Sequence, residues 1–182
     1  MTATVLTLFN EFPLIFIFRI GISAIILFIL VSVGIVLYKQ NVIDKIQRNS
    51  FILFSVYNVV LLYFTVFGRY SQSYYRYETD VFASYRYLFE SYDMNTLQQI
   101  ILNLMILIPV GFLLCLIIKS RMKYFWALVI SFVLTLLVEA LQFVSRCGTF
   151  EVDDLINNMI GAVIGMVIYA VLKSFNKKRE VL

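Results

Sequence analysis

Carboxylate and amide side chains are concentrated in one segment, VEALQFVSRCGTFEVDDLINN, which occupies residues 138–158 between two strongly apolar stretches. Glu139 and Gln142 stand three positions apart, so they would share one face of a helix. The segment ends in two pairs of polar residues at helical spacing, Asp153, Asp154, Asn157 and Asn158. Such side chains can transfer a proton, bind a cation or hydrogen-bond a phosphate, so the segment is a candidate site.

The elements that must position these residues are membrane-spanning helices. Of 182 residues, 62% are hydrophobic and 14% are charged, a composition that is not that of a soluble domain. Crossing about 30 Å of hydrocarbon takes roughly 20 apolar residues. Runs of that length occupy residues 13–38, 51–68, 99–118, 123–144 and 155–175. We therefore predict an all-α polytopic membrane protein, a compact bundle of five transmembrane helices whose first helix is retained.

Lysine and arginine indicate the orientation of this bundle. They are concentrated in residues 39–50, residues 119–123 and the tail from residue 173. Cytoplasmic loops carry such an excess, and the three stretches share one side if the N-terminus is outside and the C-terminus is cytoplasmic. The net charge of +4 is then explained by topology, and no nucleic-acid partner is expected.

Glu139 lies about five residues, or roughly 8 Å, from the end of the fourth predicted helix. A carboxyl group at that depth costs roughly 2–3 kcal/mol on lenient scales, so it needs a partner, a proton or water. The other helices place polar groups at the same level. Together they predict a pocket that opens outward or into the outer leaflet, formed by Arg69, Asn103, Glu139, Gln142, Asp153, Asp154, Asn157 and Asn158.

Purely structural roles are the alternative for several of these residues. Buried amides can hold helices together, and Asp153 and Asp154 can cap the fifth helix. A proline removes a backbone donor, so we expect Pro109 to kink the third helix and to free a carbonyl near Met105. Small residues let helices approach closely. We assign such packing roles to Pro109, Gly111, Gly161 and Gly165.

The long outer segment is rich in tyrosine, a residue that favours the headgroup level. A helical stripe within it holds Val81, Tyr85, Leu88, Phe89 and Tyr92. One interpretation is a helix lying on the outer leaflet; the other is a tyrosine-rich loop without a special role.

Other residue types exclude some chemistry. The chain has no histidine, which excludes histidine-assisted catalysis and histidine zinc sites. Cys115 falls inside the third predicted helix and Cys147 in a short turn. We therefore expect no disulfide bond between them.

Two blocks resemble one family. NLMILIPVGFLL, followed by VEALQFVSRCGTFEVDDLINNMIGAVIG, is similar to the VanZ-like family of small bacterial membrane proteins. The matching positions are Asn103, Pro109, Gly111, Glu139, Gln142, Asp153, Asp154, Asn158, Gly161 and Gly165. Arg69 resembles the arginine that follows the family's second helix, whereas Thr149 stands where some members have arginine.

The resemblance covers about residues 51–172. It suggests an N-terminal helix and loop at 1–50, a VanZ-like four-helix core at 51–172 and a basic tail at 173–182. It also implies the plasma membrane of a bacterium, with a Gram-positive host, and an association with low-level resistance to the glycopeptide teicoplanin.

Two functions from different classes are the main candidates; a transporter or an accessory subunit of a larger complex is a third, although five helices without an inverted repeat are few for a carrier. The first is non-catalytic binding of a membrane lipid, a lipid-linked wall precursor or a lipoglycopeptide, with Arg69 suited to a phosphate or carboxylate. The second is an enzyme acting on a phospholipid or polyprenyl phosphate. There Glu139 would be the general acid or base, and Asp153 and Asp154 would hold a divalent cation. No other cofactor is expected.

Overall fold

The computed structural model describes residues 2–67, 69 and 73–179, with side chains described for 19–67, 69 and 73–175. Within these residues, five segments are long and apolar enough to span a membrane, which confirms the predicted fold class. The elements are α1 (Thr2–Lys39), α2 (Lys45–Leu62) with a π-helical turn (Tyr63–Phe67), β1 (Arg76–Glu78), α3 (Ala83–Ser91), α4 (Met94–Ile106), α5 (Ile108–Ile117), α6 (Lys123–Val144), β2 (Thr149–Glu151) and α7 (Val152–Arg179). Residues 180–182 of the predicted basic tail lie outside the described residues.

The third predicted span is two helices rather than one bent helix. Leu107 leaves the helical conformation, with φ −98° and ψ 1°, and Pro109 stands in the first turn of α5. Proline has no N–H and its ring crowds the preceding turn, so the regular hydrogen-bond ladder cannot pass this point. The carbonyl of Ile106 is satisfied from another helix, because the Tyr57 hydroxyl donates to it at 2.6 Å.

Glycines bring the backbones of α4 and α5 against α7. A Cβ on Gly161 would lie 2.0 Å from the carbonyl oxygen of Leu104, and one on Gly165 would lie 2.0 Å from that of Ile108. From the other side, a Cβ on Gly111 would lie 2.1 Å from the carbonyl oxygen of Ala162. Only residues without a side chain at these positions permit this helix separation.

A small parallel sheet, which the sequence did not predict, joins the two connections at one end of the bundle. Arg76 pairs with Thr149 and Glu78 with Glu151. The sheet ties the segment after α2 to the turn between α6 and α7. The neighbouring helix α3 covers most of the segment for which a surface helix was one interpretation; its position at a membrane surface stays a prediction.

The opposite end of the bundle carries the basic connections. Lys119 pairs with Asp44 at 2.5 Å, which joins the α1–α2 and α5–α6 connections. Lys123 Nζ donates to the hydroxyl of Tyr169 at 2.8 Å. The molecule therefore has one end with the lysine-rich connections and another with α3 and the sheet.

Candidate functional site

A cavity of about 520 Å³ lies at the end of the bundle that carries the sheet. Its walls come from α2 with its π-helical turn, α4, the start of α5, α6, β2 and α7. Six of the eight predicted pocket residues line it, namely Arg69, Asn103, Glu139, Gln142, Asp154 and Asn158. The helices thus bring together side chains that are far apart in the sequence.

The deepest polar groups in the cavity wall are buried and incompletely hydrogen-bonded. Glu139 is 3% exposed and Asn158 is 4% exposed. Asn158 Nδ2 donates to Thr135 Oγ1 at 2.8 Å. Asn158 Oδ1 and Glu139 Oε2 have no hydrogen-bond partner among the described residues. The donor Asn103 Nδ2, also in the lining, has no partner among the described residues either. A buried polar atom without a partner costs about 1–3 kcal/mol, so these three atoms are the natural contacts for a molecule in the cavity.

Three carboxylates and one guanidinium share this space. The charged groups facing Glu139 are Asp154, Glu151 and Arg69. Gln99 Nε2 links two of the carboxylates, at 3.1 Å from Glu151 Oε2 and 3.3 Å from Asp154 Oδ2. The ion pairs among the described residues lie elsewhere on the surface, so Arg69 and Glu139 do not form the direct pair that would fix them structurally.

Asp153 and Asn157 do not line the cavity, in contrast to the prediction, because successive residues on a helix are rotated by about 100°. The carboxylate of Asp153 accepts hydrogen bonds from the backbone N–H of Phe82 at 2.6 Å and of Ser84 at 2.9 Å. The side chain of Asn157 accepts a hydrogen bond from the Tyr85 hydroxyl. Both residues therefore fasten α3 to the start of α7.

The same rotation separates the carboxylates that the sequence grouped as a cation site. Asp153 is directed to α3, whereas Asp154 lines the cavity. In the part of the chain that the structure describes, no group of three or more Asp, Glu, Cys or His side chains is arranged to hold a metal ion. The predicted Asp153–Asp154 site is thus not formed as a pair.

Gln142 and Arg19 hold the end of the π-helical turn. Gln142 Nε2 donates to the carbonyl oxygen of Thr65 at 3.3 Å. Arg19 Nη1 donates to the carbonyl oxygen of Phe67 at 2.5 Å. The last carbonyls of a helix lack partners within it and favour a positive charge nearby. Gln142 therefore has a structural task as well as its place in the cavity wall.

One side of the cavity presents exposed apolar side chains that belong to two candidate membrane spans. Here α2 packs against α1 and α5, and α4 packs mainly against α7. Phe64 and Leu102, from the two candidate spans, line the cavity but remain 69% and 51% exposed. The wall between α2 and α4 is thus flanked by side chains suited to contact with lipid tails.

A sequence model of the VanZ/LLP1 family matches residues 16–173. The chain belongs to the VanZ/LLP1 family. The match includes the cavity-lining segments of every wall. No curated protein and no solved structure matches the chain.

In this VanZ-family chain, sequence reasoning missed several groups in the site. Glu151 was not among the predicted pocket residues, and its position in β2 places it beside Gln99. Gln99 does share a helical face with Asn103, a signal that could have included it. Asn95, also in the lining, stands four residues before Gln99, so the same spacing could have identified it. Gln98 and Thr149 line the cavity as well and were not predicted.

Proposed function

We propose that this VanZ-family protein binds the headgroup of a membrane lipid or of a lipid-linked wall precursor in the cavity, without catalysis. By doing so it lowers the action of teicoplanin. The observation that supports this proposal is a cavity with buried, unpartnered acceptors on Glu139 and Asn158, flanked by apolar side chains within the candidate spans.

The cavity suits an amphiphilic ligand. Its volume of about 520 Å³ falls in the range of roughly 300–1,000 Å³ that is usual for small-molecule sites. Arg69 is an exposed lining residue, and a guanidinium binds phosphate or carboxylate well. Phe64 and Leu102 would contact the tails of a lipid whose headgroup entered between α2 and α4.

The proposal includes an orientation in a bacterial plasma membrane. The cavity lies at the end opposite to the Lys119 and Lys123 connections. Because basic connections favour the cytoplasm, the cavity then faces the outer leaflet. Wall precursors are used there, and glycopeptides act there.

Lipid retention tests the binding step. We expect purified protein to keep lipid in native mass spectrometry, and Glu139→Gln and Arg69→Ala to lose at least tenfold in lipid occupancy. Arg86→Ala is the matched control, because Arg86 pairs with Asp80 at the surface. Equal occupancy in all four proteins would refute the cavity as the site, and conversion of the lipid to a product, dependent on a divalent cation, would favour the enzyme.

Drug susceptibility tests the biological step. A sensitive Gram-positive host expressing the wild-type protein should tolerate more teicoplanin than one expressing Glu139→Gln at the same level, with little change for vancomycin. Equal protection by the two proteins would show that resistance does not depend on Glu139 and its cavity.

A further inference from the structure

We infer that the cavity recognises a primary ammonium next to a phosphate, the headgroup chemistry of an aminophospholipid. The ammonium would lie against Glu139 and Asn158, and the phosphate near Arg69. This inference rests on the proposed function and names the class of ligand for the same cavity.

The first support is the type of hydrogen-bonding atom left without a partner. Glu139 Oε2 and Asn158 Oδ1 are both oxygens buried in the wall, and neither has a donor among the described residues. Asn158 already uses its own Nδ2 on Thr135, which fixes Oδ1 as the free end of the amide. A third unpartnered atom of the lining, Asn103 Nδ2, is a donor. The ligand must therefore supply N–H or O–H donors for the two oxygens and an acceptor for Asn103. A primary ammonium with three N–H groups next to a phosphate supplies both.

The second support is the balance of charge. Glu139 faces Asp154 and Glu151 as well as Arg69, so carboxylates outnumber guanidinium groups in this space. A cation placed among carboxyl groups favours their charged form and is attracted to it, whereas an anionic headgroup alone would be attracted only to Arg69. Arg69 is the exposed member of the set, which places the anion-binding group towards the opening and the acceptors deeper in the wall.

The third support is the apolar flank. Phe64 and Leu102 line the same cavity and are exposed at a depth that the candidate spans assign to the membrane. A soluble amine has no apolar tail to contact these side chains, whereas the tails of a lipid would pack against them. We therefore expect the lipid to bind more tightly than its soluble headgroup.

The experiment compares three lipids with one tail composition. Protein in detergent receives phosphatidylethanolamine, phosphatidylcholine or phosphatidylglycerol, and native mass spectrometry measures the bound fraction. Phosphatidylcholine carries the same positive charge without N–H donors, and phosphatidylglycerol has no ammonium. We expect phosphatidylethanolamine to bind at least tenfold more tightly than either, with soluble phosphoethanolamine competing weakly.

Variants assign the selectivity to the cavity. Glu139→Gln should abolish the preference for phosphatidylethanolamine, Glu139→Asp should retain part of it, and the surface variant Asp80→Asn should leave it unchanged. A preference that is retained in Glu139→Asp would show that a substitution at this position still allows the protein to fold. Binding is compared only among variants whose thermal stability equals that of the wild-type protein.

The outcomes separate this inference from the proposed function. Equal binding of phosphatidylethanolamine and phosphatidylcholine, or tighter binding of phosphatidylglycerol that still depends on Glu139, would overturn the ammonium inference and leave lipid binding intact. If soluble phosphoethanolamine bound and phosphatidylethanolamine did not, the ligand would be a soluble amine rather than a lipid. Absence of all binding would overturn both.

Discussion

At the scale of single residues, the start of α7 assigns neighbouring side chains to different tasks. Asp153 holds two backbone N–H groups of α3, whereas Asp154 lies in the cavity beside Gln99. A periodic pattern shows that the two adjacent side chains diverge by about 100°, but it does not show which neighbour each one meets. The distinction comes from the position of α3, which rests on contacts remote in the sequence.

The hydrogen bonds of Asp153 can be tested by substitution. We expect Asp153→Ala to raise amide hydrogen exchange in residues 82–88 roughly tenfold, since a lost capping acceptor costs about 1 kcal/mol or somewhat more. Hydrogen exchange with mass spectrometry measures this. Asp80→Ala removes another acid near α3, an exposed one paired with Arg86, and should have little effect; equal exchange in both variants would show that Asp153 does not hold α3.

Asp93 gives a residue-level prediction for pH. Hydrogen bonds from the hydroxyl and then the backbone N–H of Thr96 lower the pKa of Asp93 below its ordinary value. The cap that Asp93 makes for α4 is therefore fully present above the unfolded pKa of about 3.9 and is lost as the pH falls through the lower folded pKa.

Protection factors of the first amides of α4 should accordingly stay level from pH 7 to pH 5 and fall below about pH 4. Asp93→Asn keeps a capping oxygen but cannot titrate, so its protection should not change in that window. A wild-type profile as flat as that of Asp93→Asn would exclude the role of the carboxylate.

At the scale of elements, the sequence predicted the spans well and the connections poorly. Apolar length identified all five spans, and α6 begins and ends where predicted. The β1–β2 pair was not predictable, because strands of three residues have no periodicity and pair with a segment distant in sequence. Pro109 indicated a distortion of the third span. How the chain accommodates the break between α4 and α5 is visible only in the structure, where the Tyr57 hydroxyl donates to the carbonyl oxygen of Ile106.

Helix contact at the glycines is tested by adding one methyl group. Gly161→Ala and Gly165→Ala each place a Cβ about 2 Å from a backbone carbonyl oxygen, so a helix must move. We expect a loss of roughly 1–3 kcal/mol of stability, measured by thermal or denaturant unfolding in detergent.

Gly21→Ala is the matched control, because no described atom lies within 4 Å of its added Cβ. It should be neutral or slightly stabilising, since alanine favours helices. Equal stability of Gly21→Ala and Gly161→Ala would contradict the packing role.

At the scale of the whole molecule, orientation is the main prediction to test. The two cysteines are buried, and burial raises the pKa of the Cys147 thiol, so neither should react readily. Single cysteines can therefore be introduced at exposed serines on the two ends, Ser91 in α3 and Ser120 beside Lys119.

In intact cells, a membrane-impermeant maleimide should label Ser91→Cys and should label Ser120→Cys only after permeabilisation. The wild-type protein measures the background from the native cysteines. The reverse pattern would place the cavity on the cytoplasmic side and contradict the proposed site of action.

The anchoring of α3 also has a consequence for synthesis. Asp153 leaves the ribosome 71 residues after Phe82, whose N–H it accepts, and β2 likewise follows β1. The segment from β1 through α3 therefore lacks these contacts until β2 and the start of α7 have been synthesised. A nascent chain halted before α7 therefore leaves this tyrosine-rich segment unanchored and accessible to quality-control proteases.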